Sequence, residues 1–137
     1  MAHIVIVGAG FGGLSAAYEL KHFLHGKHEI TLISDEPNFT FIPSLPWVAF
    51  NLRRLEEVQL PVEPLLKRQG IRWQQGRVTA LDPDQKRVSV GENLTFDYDY
   101  LVITTGASLA YHLMPGLGPE EGYTQSVCNP HHAEMAR

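Results

Sequence analysis

The feature that most constrains the fold is a glycine-rich turn set between two short apolar runs. The chain contains, in order, the run HIVIV (3–7), the turn GAGFGG (8–13) and the run EITLI (29–33). Between the turn and the second run, apolar residues recur at the spacing of one helix face, at Leu14, Ala17, Leu20 and Leu24. Strand, tight turn, helix and strand predict a βαβ unit, whose two strands lie parallel and are joined by a right-handed crossover.

The turn has the spacing that a dinucleotide requires. The first glycine allows a tight turn out of the strand, the second lets backbone approach a diphosphate, and the last lets the helix pack closely on the strand. Phosphate oxygens then meet free N–H groups at the positive end of the helix dipole. We therefore predict dinucleotide binding by Gly8, Gly10, Phe11, Gly12 and Gly13. The alternative is a glycine turn that serves packing alone.

A ribose-binding acid is expected about 20 residues after the glycines, at the end of the second strand. That place holds Ser34, followed by Asp35 and Glu36. Ser34 stands where an acid is usual, so we predict that Ser34 and Asp35 contact the ribose together. The alternative is that Asp35 and Glu36 simply face solvent at a turn.

The rest of the sequence, from residue 34 onward, predicts an α/β domain with a parallel sheet and a three-stranded antiparallel excursion. Residues 34–60 are read as irregular, with three prolines among aromatic residues. Pro61 and Gly70 delimit a predicted helix. Further strands are predicted at 71–75 (parallel), at 78–82, 86–90 and 94–97 (the excursion), and at 100–106 (buried). A short helix begins after Asn129 and Pro130.

Composition narrows the classes of function. The net charge of -4 comes without a basic run, which argues against a nucleic-acid partner. No stretch approaches the ~18 apolar residues of a membrane span. The histidines are interpreted as structural or solvent-facing side chains, so no metal is predicted. Because the last helix is marginal alone, we expect residues 1–137 to be one N-terminal domain cut from a longer protein.

Several segments resemble the sulfide:quinone oxidoreductase family of two-dinucleotide-domain flavoproteins. The likeness is carried by AHIVIVGAGFGGLSAAYELK (2–21), HEITLISDEPNFTFIPSLPWVA (28–49), DYDYLVITTG (97–106) and QSVCNPHHAE (125–134). Type II NADH dehydrogenases share the glycines and the Thr-Gly strand. They usually carry an acid where this chain has Ser34, and they lack the FIPSLPWVA and SVC stretches.

The resemblance implies a Rossmann-like FAD domain and assigns roles to further residues. Ile42 and Pro43 would approach the flavin, and Arg77 and Val78 would offer backbone near the adenine. Thr105 and Gly106 would pass close to the cofactor. The aromatic residues Phe39, Phe41 and Trp47 either line a flavin or quinone pocket or pack the long loop.

Cys128 matches one of the redox cysteines that this family possesses. The resemblance therefore implies that Cys128 is a catalytic residue, in an auxiliary role rather than in attack on the flavin. The alternative is a cysteine that acts as a small buried hydrophobic residue.

For the intact parent, the resemblance implies oxidation of sulfide to sulfane sulfur or polysulfide, with electrons passing through FAD to a quinone. It also implies a peripheral protein of a prokaryotic inner membrane and a homo-oligomer, whereas the fragment itself would be soluble and inactive. Further cysteines, a second nucleotide domain and membrane-associating helices would follow residue 137. The rival enzyme is a type II NADH:quinone dehydrogenase, and the rival of another class is a nucleotide-binding module without turnover.

Overall fold

The structure is a computed structural model that describes all residues from 1 to 137. The chain divides into two compact units, which are described separately. The first unit consists of Met1–Phe39 and Pro61–Gly106, and the second consists of Thr40–Leu60 and Ala107–Arg137.

The regular elements are nine strands and four α-helices. The strands are β1 His3–Val7, β2 Glu29–Ser34, β3 Asn38–Thr40, β4 Gln59–Pro61, β5 Arg72–Gln75, β6 Val78–Asp82, β7 Arg87–Val90, β8 Leu94–Asp97 and β9 Tyr100–Ile103. The helices are α1 Phe11–Phe23, α2 Leu45–Ala49, α3 Val62–Arg68 and α4 Pro130–Met135. No helix has both the length and the apolar character needed to cross a membrane.

The first unit is built on a four-stranded parallel sheet in the order β5-β2-β1-β9. The central strand β1 pairs with β2 on one side and β9 on the other, so Val7 lies between Ile33 and Ile103. On the outer side of β2, Ser34 pairs with Gln75 of β5. The predicted parallel βαβ unit and the predicted third parallel strand are both confirmed.

Both faces of this sheet are covered by other elements. Side chains alternate along a strand, so successive residues of β1 pack into different apolar clusters. Ile4 and Ile6 pack with α1 and α3 in one apolar cluster. Val5 and Val7 pack on the opposite side with Val88 of the antiparallel sheet β6-β7-β8, in a second cluster. The predicted burial of β1 on both faces and the predicted three-stranded excursion are therefore confirmed.

Strand β9 is less buried than its apolar sequence predicts. Tyr100 is 65% exposed and Ile103 is 60% exposed. The strand forms an edge of the sheet and pairs only with β1. The prediction that residues 100–106 are a buried strand is wrong on this point, since an edge strand has a neighbour on one side only.

The second unit has a small core between α2 and α4. Leu45, Val48, Val58 and Ala133 form its buried cluster. Helix α4 begins as predicted, because the side-chain oxygen of Asn129 accepts a hydrogen bond from the His132 N–H at 2.8 Å.

The prediction that residues 34–60 are irregular is wrong in part. This segment contains β3, α2, most of β4 and two 3-10 turns, at Ile42–Ser44 and Leu55–Val58. Each element has at most five residues, which is too short to show a period. Pro43 and Pro46 stand in the first turns of their helices, where a missing N–H is tolerated.

Candidate dinucleotide-binding site

The candidate site lies where the parallel strands of the first unit end. Three backbone hydrogen bonds tie these ends together: Gly8 N–H to Ile33 C=O at 2.8 Å, Gly76 N–H to Ser34 C=O at 2.9 Å, and Thr104 N–H to Val7 C=O at 2.8 Å. In open α/β sheets, ligands bind outside the carboxyl ends of the strands. The fold thus brings the glycine loop and Ser34 to the edge that such ligands use.

Two of the glycines are required by the protein itself. Gly8 has φ +105°, a conformation that side chains disfavour, and a Cβ there would collide with the Thr104 carbonyl. A Cβ on Gly13 would collide with the Gly8 carbonyl oxygen and lie 2.8 Å from the Thr104 hydroxyl. These two glycines let the loop and the first turn of α1 pack against the sheet.

Gly10 differs from both, because nothing in the protein requires a glycine there. Its φ of -77° and ψ of -167° suit any residue, and a Cβ would meet no atom within 4 Å. Gly10 is exposed and is the N-cap of α1, with no side-chain cap and no acidic residue in the first turn. The space over Gly10 and the N-terminal end of α1 therefore fit a dinucleotide diphosphate.

Phe11 and Gly12 open helix α1 on its exposed side. The Phe11 ring meets the Phe39 ring edge to face, with centroids 4.9 Å apart. Phe39 also packs against the core of the first unit, so packing accounts for this aromatic residue. Gly12 is exposed, and a Cβ there would lie 3.5 Å from Thr104 Cβ and Cγ2.

The predicted ribose residues lie in different environments. Ser34 is 9% exposed, and its hydroxyl accepts a hydrogen bond from the Glu36 N–H at 3.3 Å. Asp35 is exposed, and its backbone carbonyl accepts a hydrogen bond from Gln75 Nε2 at 3.4 Å. Asp35 directly follows β2, and its contact with a ribose stays a prediction.

The predicted adenine-side residues follow β5. Arg77 is exposed, and its carbonyl accepts a hydrogen bond from the Gly91 N–H at 2.9 Å. Val78 opens β6, pairs with Val90 and packs against the second apolar cluster. Their backbone is therefore fixed by the antiparallel sheet.

The residue that contacts the glycine loop after β9 is Thr104, which sequence reasoning missed. The predicted residues Thr105 and Gly106 are exposed. The Thr104 hydroxyl oxygen instead lies 2.8 Å from the Val7 carbonyl oxygen and 3.1 Å from that of Gly8. The sequence does contain two adjacent threonines before Gly106. Because adjacent residues of an extended chain point to opposite sides, only one of the two can face the loop, and the sequence alone does not tell which.

Ile42, Pro43 and Cys128 belong to the second unit. Ile42 and Pro43 begin a 3-10 turn and are exposed. Cys128 is also exposed, and its backbone N–H donates to the Ser126 hydroxyl at 3.2 Å, directly before the Asn129 cap of α4. The alternative reading of Cys128 as a buried hydrophobic residue is therefore wrong.

Comparison with known proteins identifies the family of the chain. The family model described as pyridine nucleotide-disulphide oxidoreductase matches residues 2–135. The chain is 36% identical over 131 residues to the sulfide-quinone reductase of Aquifex aeolicus, covering 96% of this chain and 29% of that protein. It is 30% identical over 104 residues to the type II NADH:quinone oxidoreductase of Staphylococcus aureus, covering 75% of this chain and 26% of that protein.

A solved structure supports the same relationship. The X-ray structure of the sulfide:quinone oxidoreductase from Aquifex aeolicus matches with a TM-score of 0.90 and 34% identity. The match covers 99% of this chain and 30% of that one, so the chain spans less than a third of the length of these relatives. Both the predicted α/β fold and the predicted resemblance are confirmed. By its sequence and its fold, the chain belongs to the pyridine nucleotide-disulphide oxidoreductase family.

Proposed function

We propose that the chain binds FAD and holds its ADP half at the glycine loop. The observation that carries the proposal is Gly10, whose missing Cβ leaves open space beside the uncapped N-terminus of α1. A glycine with ordinary backbone angles and no neighbour to avoid is explained by a ligand that approaches the backbone.

In this proposal different residues of the chain bind different parts of FAD. The N–H groups at the start of α1 bind the diphosphate, and Ser34 and Asp35 bind the adenosine ribose. The other assignments follow the resemblance: Arg77 and Val78 near the adenine, Thr105 and Gly106 along the cofactor, and Ile42 and Pro43 toward the flavin.

We further propose that the chain is part of an enzyme that oxidises sulfide and reduces quinone. FAD, when bound, supplies two-electron transfer between the two substrates. Hydrosulfide gives up two electrons and its proton, and its sulfur atom bonds to a second sulfide or polysulfide as sulfane sulfur. The quinone takes up two electrons and two protons. One of those protons comes from hydrosulfide and the other from solvent, so the reaction balances.

Cys128 is the residue of this chain that we assign to the sulfur chemistry. Its thiol is exposed, as a group that exchanges sulfur with a substrate has to be. Its neighbour Asn129 caps α4 through the His132 N–H, which fixes the backbone beside the thiol. The role we propose for Cys128 is the auxiliary one that the family resemblance implies, and not attack on the flavin.

The cofactor assignment is tested by calorimetric titration of the chain with FAD, ADP, NAD⁺ and FMN. FAD and ADP should bind, and FMN should not, because FMN lacks the adenosine diphosphate that the loop holds. Equal or tighter binding of NAD⁺ than of FAD would overturn the assignment of FAD.

The activity is tested in the full-length protein that carries this chain. Sulfide should reduce a short-chain quinone analogue, and Cys128→Ser should lower that rate. The similarity to a type II NADH:quinone oxidoreductase makes that activity the second candidate. NADH-dependent quinone reduction without a sulfide-dependent rate would favour it, and nucleotide binding without either rate would favour a module without turnover.

Quinones reside in the lipid bilayer, so we also propose that the full-length protein is peripheral to a prokaryotic inner membrane. We propose a homo-oligomer as its state. Flotation with lipid vesicles and light scattering test these two points. A monomer that stays out of the vesicle fraction would contradict both.

A further inference from the structure

Thr104 directly follows β9 and contacts the glycine loop. Its backbone N–H donates to the Val7 carbonyl at 2.8 Å. Its hydroxyl oxygen lies 2.8 Å from the same carbonyl oxygen and 3.1 Å from the Gly8 carbonyl oxygen. Thr104 therefore contacts both residues by which the chain leaves β1 and enters the loop.

The same side chain also supports the first turn of α1. A Cβ on Gly12 would lie 3.5 Å from Thr104 Cβ and Cγ2, and a Cβ on Gly13 would lie 2.8 Å from the Thr104 hydroxyl. On the other side, the Gly8 N–H donates to the Ile33 carbonyl of β2 at 2.8 Å. The loop is thus held between the ends of two strands, and Thr104 supplies the side-chain part of that support.

We propose that Thr104 is a positioning residue for dinucleotide binding. Its one hydroxyl proton is donated to the Val7 or the Gly8 carbonyl oxygen, and this bond holds the backbone that sets the direction of the N–H groups at the start of α1. Thr104 itself contacts the loop and acts on the nucleotide through it. The inference rests on the proposed function, since the geometry of the loop matters to a ligand only if the ligand binds there.

Removal of the Thr104 hydroxyl should change the geometry of the glycine loop more than it lowers the stability of the fold. In Thr104→Val, a methyl group takes the place of an oxygen that lies 2.8 Å from the Val7 carbonyl oxygen. Carbon–oxygen contacts ordinarily measure about 3.3–3.6 Å, so the loop has to move by roughly half an ångström. Hydrogen bonds depend on both distance and angle, so this displacement should misalign the N–H groups that face the diphosphate in the proposed complex. Thr104→Ser keeps the hydroxyl and avoids this displacement.

The experiment measures ADP affinity by calorimetry and stability by urea unfolding, on the 137-residue chain. Thr104→Val should lower ADP affinity by about tenfold, which corresponds to about 1.4 kcal/mol, and Thr104→Ser should stay within about threefold of wild type. Thr31→Val is the matched control, because Thr31 is a buried threonine of β2 whose hydroxyl also makes a hydrogen bond, 2.8 Å from His3 Nε2. The control should lower stability and leave ADP affinity unchanged.

Each outcome decides a different point. If wild type does not bind ADP, the proposed function fails and this inference fails with it. If wild type binds ADP and Thr104→Val binds it equally well, or Thr31→Val weakens binding as much, the positioning role alone is refuted. Should the valine variant not fold, Thr104→Ala removes the hydroxyl without a clash. It should weaken ADP binding by about threefold to tenfold, and wild-type affinity would refute the role.

Discussion

Two glycine-to-alanine variants should separate ligand binding from stability, although they are three positions apart. Gly10→Ala places its Cβ in open space, whereas Gly13→Ala places it against the Gly8 carbonyl oxygen. We expect the first variant to lose ADP binding and keep its fold. We expect the second to lose stability.

The magnitudes follow from the local geometry. At the N-cap, alanine is worse than glycine by roughly 0.5–1 kcal/mol, and restriction of the unfolded chain returns roughly 0.4–1 kcal/mol. The free energy of unfolding of Gly10→Ala should therefore stay within about 0.5 kcal/mol of wild type. Gly13 lies inside α1, where alanine is intrinsically better by about 1 kcal/mol. The collision is with backbone, which cannot move aside as the end of a flexible side chain can. We therefore expect its cost to lie at the upper end of the range for overpacking, about 1–3 kcal/mol, and to exceed this gain.

Urea unfolding and thermal unfolding, both followed by circular dichroism, measure the stabilities, and calorimetric titration with ADP measures binding. Gly13→Ala should lower the Tm by about 4 °C for each kcal/mol lost in a domain of this size. Gly10→Ala should lower ADP affinity at least tenfold, or about 1.4 kcal/mol. Unchanged ADP affinity in Gly10→Ala, or unchanged stability in Gly13→Ala, would refute the reasoning from Cβ positions.

Three further predictions concern other parts of the chain. Asn129→Ala removes the cap of α4 and should destabilise the chain by about 1 kcal/mol in urea unfolding, whereas Asn129→Asp should not; equal losses would contradict the capping role. Cys128 is exposed, so a colourimetric thiol reagent should modify it without denaturant, and a thiol that reacts only after unfolding would contradict this placement. Leu32 is fully buried, so Leu32→Ala should lower the free energy of unfolding by about 2–5 kcal/mol, while the same change at Leu81, 42% exposed, should lower it far less.

The sequence predicted those elements whose length and burial make their pattern visible. HIVIV is apolar at every position after His3 because both faces of β1 are covered, and this continuous run identified the strand. The positions of Pro61 and Gly70 predicted α3, which the structure places at Val62–Arg68 with Gly70 just after its C-cap. The apolar run of β1 and the bounds of α3 are both visible in residues that are close together in the sequence, so the sequence was enough to predict them.

The features that escaped prediction depend on distant parts of the chain. Whether Thr104 or Thr105 faces the glycine loop follows from the pairing of Val7 with Ile103, which a local pattern does not contain. The exposure of Ile103 follows from the place of β9 at the edge of the sheet. The length of the elements between 34 and 60 was a separate obstacle, because three to five residues show no period.

The hydrogen bond between Thr104 and Val7 joins residues that are 97 positions apart. Contacts of such separation form only after a large loop has closed, and they slow folding relative to local contacts. During synthesis, β1, α1 and β2 leave the ribosome long before β9, so β1 is at first a strand with one open side. The contact between the glycine loop and the end of β9 is therefore a late product of folding, and amide protection at Thr104 should be acquired after that of α1 and after that of Gly8, whose N–H donates to β2.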